Sequence, residues 1–199
     1  MTEVFRWLAL FVLISNLSIS TYYRRKARRA TGTIERRSEG AALVLLRTLV
    51  TLPLALSIFG YILNPAWMAW SSVFLPESAR MMGAAMGVLT VPFVLWVFRS
   101  IGSKVSETVL IKDNHELVTT GPYRWVRHPL YTAGLFLLGS IGLMAANGLI
   151  IALATLALVL ILLTVIPREE AYLIGRFPEY TAYRSKTGQL VPRSFRGAV

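Results

Sequence analysis

"PLYTAGLFLLGSIGLMAANGLIIALATLALVLILLTVI", residues 129–166, is an apolar run of 38 residues. A single α-helix of that length would be ~57 Å long, almost twice the thickness of the hydrocarbon core of a bilayer. The apolar pattern is interrupted near "AANG", residues 145–148, where small and turn-forming residues occur together. We therefore expect two membrane helices, 129–144 and 149–166, that fold back on each other as a hairpin.

Three further apolar runs precede this hairpin, at residues 4–23, 41–63 and 80–98. The chain has 199 residues, of which 55% are hydrophobic and 16% charged, whereas soluble domains carry about 25% charged residues. The Trp-rich stretch 64–77 is too short to cross a membrane, and tryptophan favours the membrane–water interface. The sequence thus predicts an all-α, polytopic membrane helix bundle with five transmembrane helices, folded as a single domain over residues 1–199.

The basic residues indicate how this bundle is oriented. Of the 21 Lys and Arg residues, 18 lie in the segments 23–40, 99–128 and 167–199, and none lies in residues 64–79. Cytoplasmic loops carry an excess of Lys and Arg, so we expect the N-terminus outside and these three segments in the cytoplasm. The formal charge of +11 is explained in this way, and we expect no nucleic-acid partner.

Several chemistries have little support in the sequence. Cysteine is absent, which excludes disulfides, thiolate zinc sites and cysteine nucleophiles. There is neither a dinucleotide-binding glycine motif after a strand nor a P-loop. Asp113, His115 and Glu116 can be drawn as a metal site, but "KDNHELV" is more typical of a turn, and we predict no metal.

Two features inside the bundle have packing explanations. Ala79, Gly83 and Gly87 form a stripe of small residues that lets a neighbouring helix approach closely. Arg47 lies one to two turns inside the second apolar run, where a charge is costly. Its side chain either reaches back to the interface or pairs with a substrate carboxylate or a buried glutamate.

A first polar cluster, "GPYRWVRHPLYTAG" (residues 121–134), lies at the entrance to the hairpin. Pro129 is suited to the first position of a helix, which places Arg127 and His128 directly before the helix N-terminus. The free N–H groups and the positive end of the helix dipole favour anions there. A basic flank with interfacial aromatic residues would also account for this composition.

A second polar cluster, "PREEAYLIGRFPEYTAYRSKTGQLVP" (residues 167–192), follows the hairpin. We expect Pro167 to begin a new helix with Glu169 and Glu170 in its first turn, although an amphipathic interfacial helix alone would explain this pattern. Because the outer ends of two antiparallel helices lie side by side, His128 and Tyr131 should face the two glutamates. The result would be a patch suited to a polar cofactor.

These motifs together resemble a known family. "RHPLYTAG", the apolar hairpin and "REEAYLIGRFPEYTAYRSKTGQLVP" look like the isoprenylcysteine carboxyl methyltransferase family and its relatives. The wider group includes phospholipid and small-thiol methyltransferases. The resemblance is strong over residues 109–193.

The resemblance implies an integral-membrane enzyme that uses S-adenosyl-L-methionine to methylate a lipophilic or membrane-associated acceptor. The reaction it most resembles is carboxyl O-methylation of isoprenylcysteine-type substrates, with phospholipid N-methylation and small-thiol S-methylation as alternatives. The active site would face the cytoplasm from a bacterial or archaeal inner membrane, or from the endoplasmic reticulum. An NADPH-dependent sterol-reductase-like enzyme, and a haem or membrane interaction protein with His128 as axial ligand, are the alternatives from other classes. The oligomeric state is left open.

The resemblance also implies a set of site residues, carried by segments 109–131 and 167–193. The catalytic candidates are Arg127, His128 and Glu170. C-terminal amphipathic helices would complete the cofactor pocket. The residues expected to contact the cofactor are Gly121, Tyr123, His128, Pro129, Leu130, Tyr131, Glu169, Glu170, Tyr180, Tyr183, Thr187 and Gly188.

Overall fold

The computed structural model describes residues 2–31, 41–101 and 117–193, and every regular element in this part of the chain is helical. The described residues form seven α-helices: α1 (Thr2–Thr31), α2 (Ala41–Leu63), α3 (Glu77–Ile101), α4 (Pro129–Ala145), α5 (Gly148–Leu160), α6 (Ile166–Arg176) and α7 (Tyr180–Lys186). Two short 3₁₀ helices, Pro65–Ser71 and Gly121–Arg124, precede α3 and α4 respectively.

Four of the described helices are long and apolar enough to cross a membrane: α1, α2, α3 and the continuous helix Gly148–Arg176. Helix α4 has 17 residues and is therefore ~25 Å long, somewhat shorter than the hydrocarbon core. The prediction of an all-helical, multi-pass membrane protein is confirmed. The number of five spans and the outside position of the N-terminus stay predictions.

Helices α4 and α5 form the expected hairpin. Ala146 adopts the left-handed conformation (φ 48°, ψ 48°), and Asn147 caps α5 by accepting a hydrogen bond from the Ile150 N–H at 3.0 Å. The Asn147 amide also donates to the Met68 carbonyl at 3.0 Å and to the Ser71 hydroxyl at 2.8 Å. The turn is thus anchored to the Trp-rich 3₁₀ helix at the same end of the bundle.

Helix α4 packs against α1, α3 and α5. A Cβ atom added at Gly83 would lie 2.6 Å from the Leu143 Cβ, and one added at Gly87 would lie 2.8 Å from the Ser140 Oγ. Such distances leave no room for a side chain. The glycines of the small-residue stripe therefore serve close packing of α3 on α4, as the sequence predicts.

Pro167 lies in the first turn of α6, as expected, but α6 is not separate from the helix before it. Residues Ile161–Val165 form a wide π-helical turn, through which α5 continues without a break into α6. Proline lacks an N–H, and its ring collides with the carbonyl four residues earlier in a regular α-helix. A wider turn immediately before the proline relieves that collision, so Glu169 and Glu170 lie on the extension of a membrane helix.

Candidate active site

The backbone around His128 is held by the chain that follows α7. The Arg127 N–H donates to the Gly188 carbonyl at 2.8 Å, and the His128 N–H donates to the Gln189 carbonyl at 3.1 Å. In return the Gly188 N–H donates to the Trp125 carbonyl at 3.3 Å. These bonds fix the two residues at the entrance of α4 against the end of α7.

Two glycines of the predicted cofactor set have a backbone role. Gly121 has a φ of +61°, and a Cβ atom there would collide with the Ser100 hydroxyl. A Cβ atom at Gly188 would collide with the Val191 carbonyl oxygen, because the chain turns back on itself at this point. Both positions need glycine whether or not a ligand is bound.

Glu170 lies at the centre of the site. Its Oε1 accepts a hydrogen bond from the Arg127 Nε at 2.9 Å, forms an ion pair with the Arg127 Nη2 at 2.9 Å, and lies 3.2 Å from the His128 Nε2. Its Oε2 lies 3.1 Å from the Arg184 Nε. The Glu170 side chain is 5% exposed, and a charge so deeply buried needs partners of this kind. Glu170 therefore joins α6, α7 and the entrance of α4.

Glu169 has a different environment. Its Oε1 accepts a hydrogen bond from the Tyr131 hydroxyl at 2.6 Å, and its Oε2 lies 3.4 Å from the His128 Nδ1. The Glu169 side chain is 20% exposed. Of the two adjacent carboxylates, Glu169 is the one with access to a ligand.

His128 lies between the two glutamates. Burial lowers the pKa of His128, but the hydrogen bonds and the charges of Glu169 and Glu170 raise it by more, so the pKa lies above its ordinary value. A protonated imidazole donates from both nitrogens, which matches a ring with a carboxylate on each side. The site thus favours the imidazolium form.

Tyrosines close the site on the α7 side. The Tyr183 hydroxyl donates to the Tyr123 carbonyl at 2.6 Å, and the rings of Tyr180 and Tyr183 meet edge to face at 5.8 Å. Burial, and then the charge of Glu170, raise the pKa of Tyr180 to about 12. All these phenols are therefore neutral at physiological pH.

Burial divides the predicted cofactor-contacting residues into two groups. One group is buried beneath the surface of the site: His128, Pro129, Glu170, Tyr180 and Thr187. The other group is partly exposed and lies nearer to the surface: Gly121, Tyr123, Leu130, Tyr131, Glu169, Tyr183 and Gly188.

Two residues of this cluster are not predicted from the sequence. The sequence places Arg184 only within the basic segment 167–199, yet it forms an ion pair with Glu170, and its own carbonyl accepts a hydrogen bond from the Arg127 Nη1 at 3.2 Å. The Thr132 hydroxyl ties α4 to the tail by donating to the Leu190 carbonyl at 2.7 Å. The position of Arg184 directly after Tyr183 is a signal that would have placed it beside the site.

Two cations from the first two helices lie close to the same cluster. Arg24 on α1 and Arg47 on α2 are near enough to Tyr131 for their charges to act on its hydroxyl. Arg47, whose role the sequence left open, therefore belongs to the neighbourhood of the site.

Part of the predicted site falls outside the described residues. This applies to residues 109–116 of the first cofactor segment, including Asp113, His115 and Glu116. In the part of the chain that the structure describes, no three His, Cys, Asp or Glu side chains form a group able to hold a metal ion.

The fold and the site define a multi-pass helical membrane protein with a buried acid–histidine–arginine cluster at one end of the bundle. Residues 83–175, a little under half of the chain, match the isoprenylcysteine carboxyl methyltransferase (ICMT) family, which supports the assignment to that family. The segment contains α4, α5, the wide turn and both glutamates. The family recognised from the motifs is thereby confirmed.

Two relatives show similarity over part of their length. The cobalt-zinc-cadmium resistance protein CzcN of Cupriavidus metallidurans is 37% identical over 82 residues, which cover 41% of this chain and 38% of the relative. The nickel-cobalt-cadmium resistance protein NccN of Alcaligenes xylosoxydans xylosoxydans is 38% identical over 82 residues, with the same coverage. The aligned region thus spans about two fifths of each relative.

Proposed function

We propose that this protein is an S-adenosylmethionine-dependent methyltransferase that acts on a lipophilic acceptor at the membrane. The observation that carries the proposal is the His128 imidazole held between Glu169 and Glu170, inside the segment that matches a methyltransferase family. The cluster lies at one end of a bundle in which four of the described helices are long and apolar enough to cross a membrane.

The donor set fits the groups of S-adenosylmethionine. Glu169 offers a partly exposed carboxylate to the ammonium or to ribose hydroxyls, and such charge-assisted hydrogen bonds are strong. The electron-rich rings of Tyr131 and Tyr183 favour a sulfonium. Arg184, with a half-exposed side chain, is placed to bind the cofactor carboxylate. When bound, the cofactor supplies a methyl group already activated by its sulfonium.

The buried residues organise this surface. Glu170 holds Arg127, His128 and Arg184 in place, so its role is that of a positioning residue. Arg127 pairs with Glu170 and donates hydrogen bonds to the backbone carbonyls of Arg184 and Thr187. It is therefore also a positioning residue. Positioning is the main requirement for a methyl donor that needs no further activation.

Two cations outside the central cluster bear on the choice of acceptor. Glu169 has the largest electrostatic effect on the Tyr131 hydroxyl, but the charges of Arg47 on α2 and Arg24 on α1 act on it as well, and they would attract a carboxylate or a thiolate. Neither of these nucleophiles needs a strong base. For an amine acceptor, Glu169 is the group placed to take the proton. Carboxyl O-methylation is therefore our first choice, with thiol and phospholipid amine methylation as alternatives.

Other observations bear on the alternatives. Both ring nitrogens of His128 face carboxylate oxygens, which is not the arrangement of an axial haem ligand. The names of the two relatives concern metal resistance and specify no methyl acceptor.

Calorimetric titration of the purified full chain with S-adenosylhomocysteine tests the cofactor. We expect saturable binding to one site, whereas NADPH under the same conditions should give no heat. A folded protein that binds NADPH and not S-adenosylhomocysteine would contradict the proposal.

Transfer of radiolabelled methyl groups in membrane extracts identifies the acceptor. A carboxyl ester releases volatile label after mild base, a methylated phospholipid stays in the organic phase, and a small thioether is volatile without base. A Glu169→Gln chain serves as the matched control, since it keeps the length and shape of the side chain. We expect base-labile label from the natural sequence and little from the control.

A further inference from the structure

A groove of about 660 Å³ runs along the exposed face of α1, separate from the site described above. This face points away from the helix contacts, since Asn16 and Ala27 on the other side of α1 are buried. We refer to it as the basic groove. The described residues that line it are Leu17, Ser18, Thr21, Tyr22, Arg25, Lys26 and Arg29.

The side chains that line the basic groove change from apolar to polar to cationic along α1. It begins with apolar Leu17, continues with the hydroxyls of Ser18 and Thr21, and ends with three cations. From residue 17 to residue 29 an α-helix rises ~18 Å, enough to pass from the edge of the hydrocarbon core through the headgroup layer. Tyr22, 60% exposed, lies between the two zones, where interfacial tyrosine is favoured.

The cations of the basic groove have no carboxylate partner among the described residues. None of the described residues that line the groove is acidic, and Arg25, Lys26 and Arg29 form no ion pair within that part of the chain. Other arginines are compensated: Arg6 pairs with Glu3, and Arg127 pairs with Glu170. Three cations without a carboxylate partner among the described residues therefore line one groove.

We infer that the basic groove binds the headgroup of an anionic phospholipid. The phosphate lies among the three cations, the ester region meets the hydroxyls, and an acyl chain follows Leu17. Attraction to anionic lipids increases with each Lys or Arg near the surface. A zwitterionic lipid brings its own cation into the cluster, so phosphatidylglycerol is favoured over phosphatidylcholine. This inference does not depend on the proposed methyltransferase activity.

The absence of cysteine allows a direct test. Ser18→Cys introduces a single thiol in the groove, which is labelled with a fluorophore in the full chain reconstituted in vesicles. Bromine-substituted phosphatidylglycerol or phosphatidylcholine then quenches the label at equal mole fraction. We expect phosphatidylglycerol to quench about twofold more strongly or better, and the preference to fall as salt is added. Equal quenching by both lipids would overturn the inference.

A charge-matched pair of variants separates this site from general attraction to the membrane. The triple variant Arg25→Gln, Lys26→Gln, Arg29→Gln should lose the preference for phosphatidylglycerol. The control carries Arg124→Gln, Arg168→Gln and Lys186→Gln, which remove the same charge at the same end of the bundle outside the groove. We expect the control to keep the preference. A loss of equal size in both variants would show attraction without a site.

Discussion

At the residue scale, the two adjacent glutamates have separate tasks. Neighbouring side chains on an α-helix point about 100° apart, so one can face inward while the other faces a ligand. Glu170 contacts Arg127, His128 and Arg184 and is 5% exposed, whereas Glu169 contacts Tyr131 and His128 and is 20% exposed. Two identical letters in the sequence therefore have different physical roles.

This division predicts opposite outcomes for two matched substitutions. Glu170→Gln leaves buried cations without a counter-charge and should lower the free energy of unfolding by about 3–5 kcal/mol, seen in chemical denaturation. Glu169→Gln should lower stability much less, because Glu169 is partly exposed and Glu170 still faces His128. It should weaken S-adenosylhomocysteine binding at least about tenfold, the effect of one lost charged hydrogen bond. Equal loss of stability in both variants would contradict the assignment.

The raised pKa of His128 predicts how stability depends on pH. The folded pKa lies above the unfolded value of about 6.5, so the contribution of the imidazolium is complete below that pH. It is lost as the pH rises through the folded pKa. The difference in melting temperature between the natural chain and His128→Gln should therefore shrink with rising pH above about 6.5. A difference that grows with pH would show that the imidazole is held neutral.

At the element scale, the segment that follows α7 completes the site. Its backbone bonds to residues 125–128 hold His128, and the Thr187 carbonyl accepts a hydrogen bond from Arg127. The helix that carries the glutamates approaches from the other side, through the wide turn before Pro167. The cluster therefore joins the entrance of α4 to the chain that follows the hairpin, and its members Arg127 and Glu170 are 43 residues apart in sequence.

Gly188→Ala tests this arrangement because its Cβ would collide with the Val191 carbonyl. We expect the turn to open, the Arg127–Gly188 bond to be lost, and S-adenosylhomocysteine binding to fall at least about tenfold. Gly175→Ala on α6 is the matched control, since a Cβ atom there meets nothing within 4 Å and alanine favours a helix. The control should bind normally. Normal binding by Gly188→Ala would show that this turn does not support the site.

At the scale of the whole molecule, the two ends of the bundle differ in how many basic residues they carry and in what those residues bond. Away from the site, Arg6 donates to the Ile62 carbonyl at 2.8 Å, and Arg80 donates to the Met144 carbonyl at 2.8 Å. Both carbonyls lie at helix C-termini, where the dipole favours a cation. These arginines cap helices, whereas most of the other basic residues that the structure describes lie at the end that carries the site.

This asymmetry predicts the orientation in the membrane. Trp70→Cys and Lys186→Cys each place a single exposed thiol at opposite ends of the bundle. In intact cells a membrane-impermeant maleimide should label the first variant, and it should label the second only after lysis. The reverse pattern would place the site outside the cell.

The sequence by itself determined the class of the protein and the hairpin. Run length, a broken apolar pattern at Asn147 and a proline at position 129 are local signals, and each acts through the backbone near it. The motifs at His128 and at Glu169 and Glu170 likewise sufficed for the family, because they retain their spacing along the chain.

The tertiary structure decided how those residues work. It carries the helix through Pro167, buries Glu170 while leaving Glu169 accessible, and adds Arg184 to the cluster. Burial and the choice of partner depend on chain segments that meet only after folding: Glu170 and Arg127 are 43 residues apart in sequence. No local pattern encodes which of two neighbouring carboxylates will meet a cation from another helix.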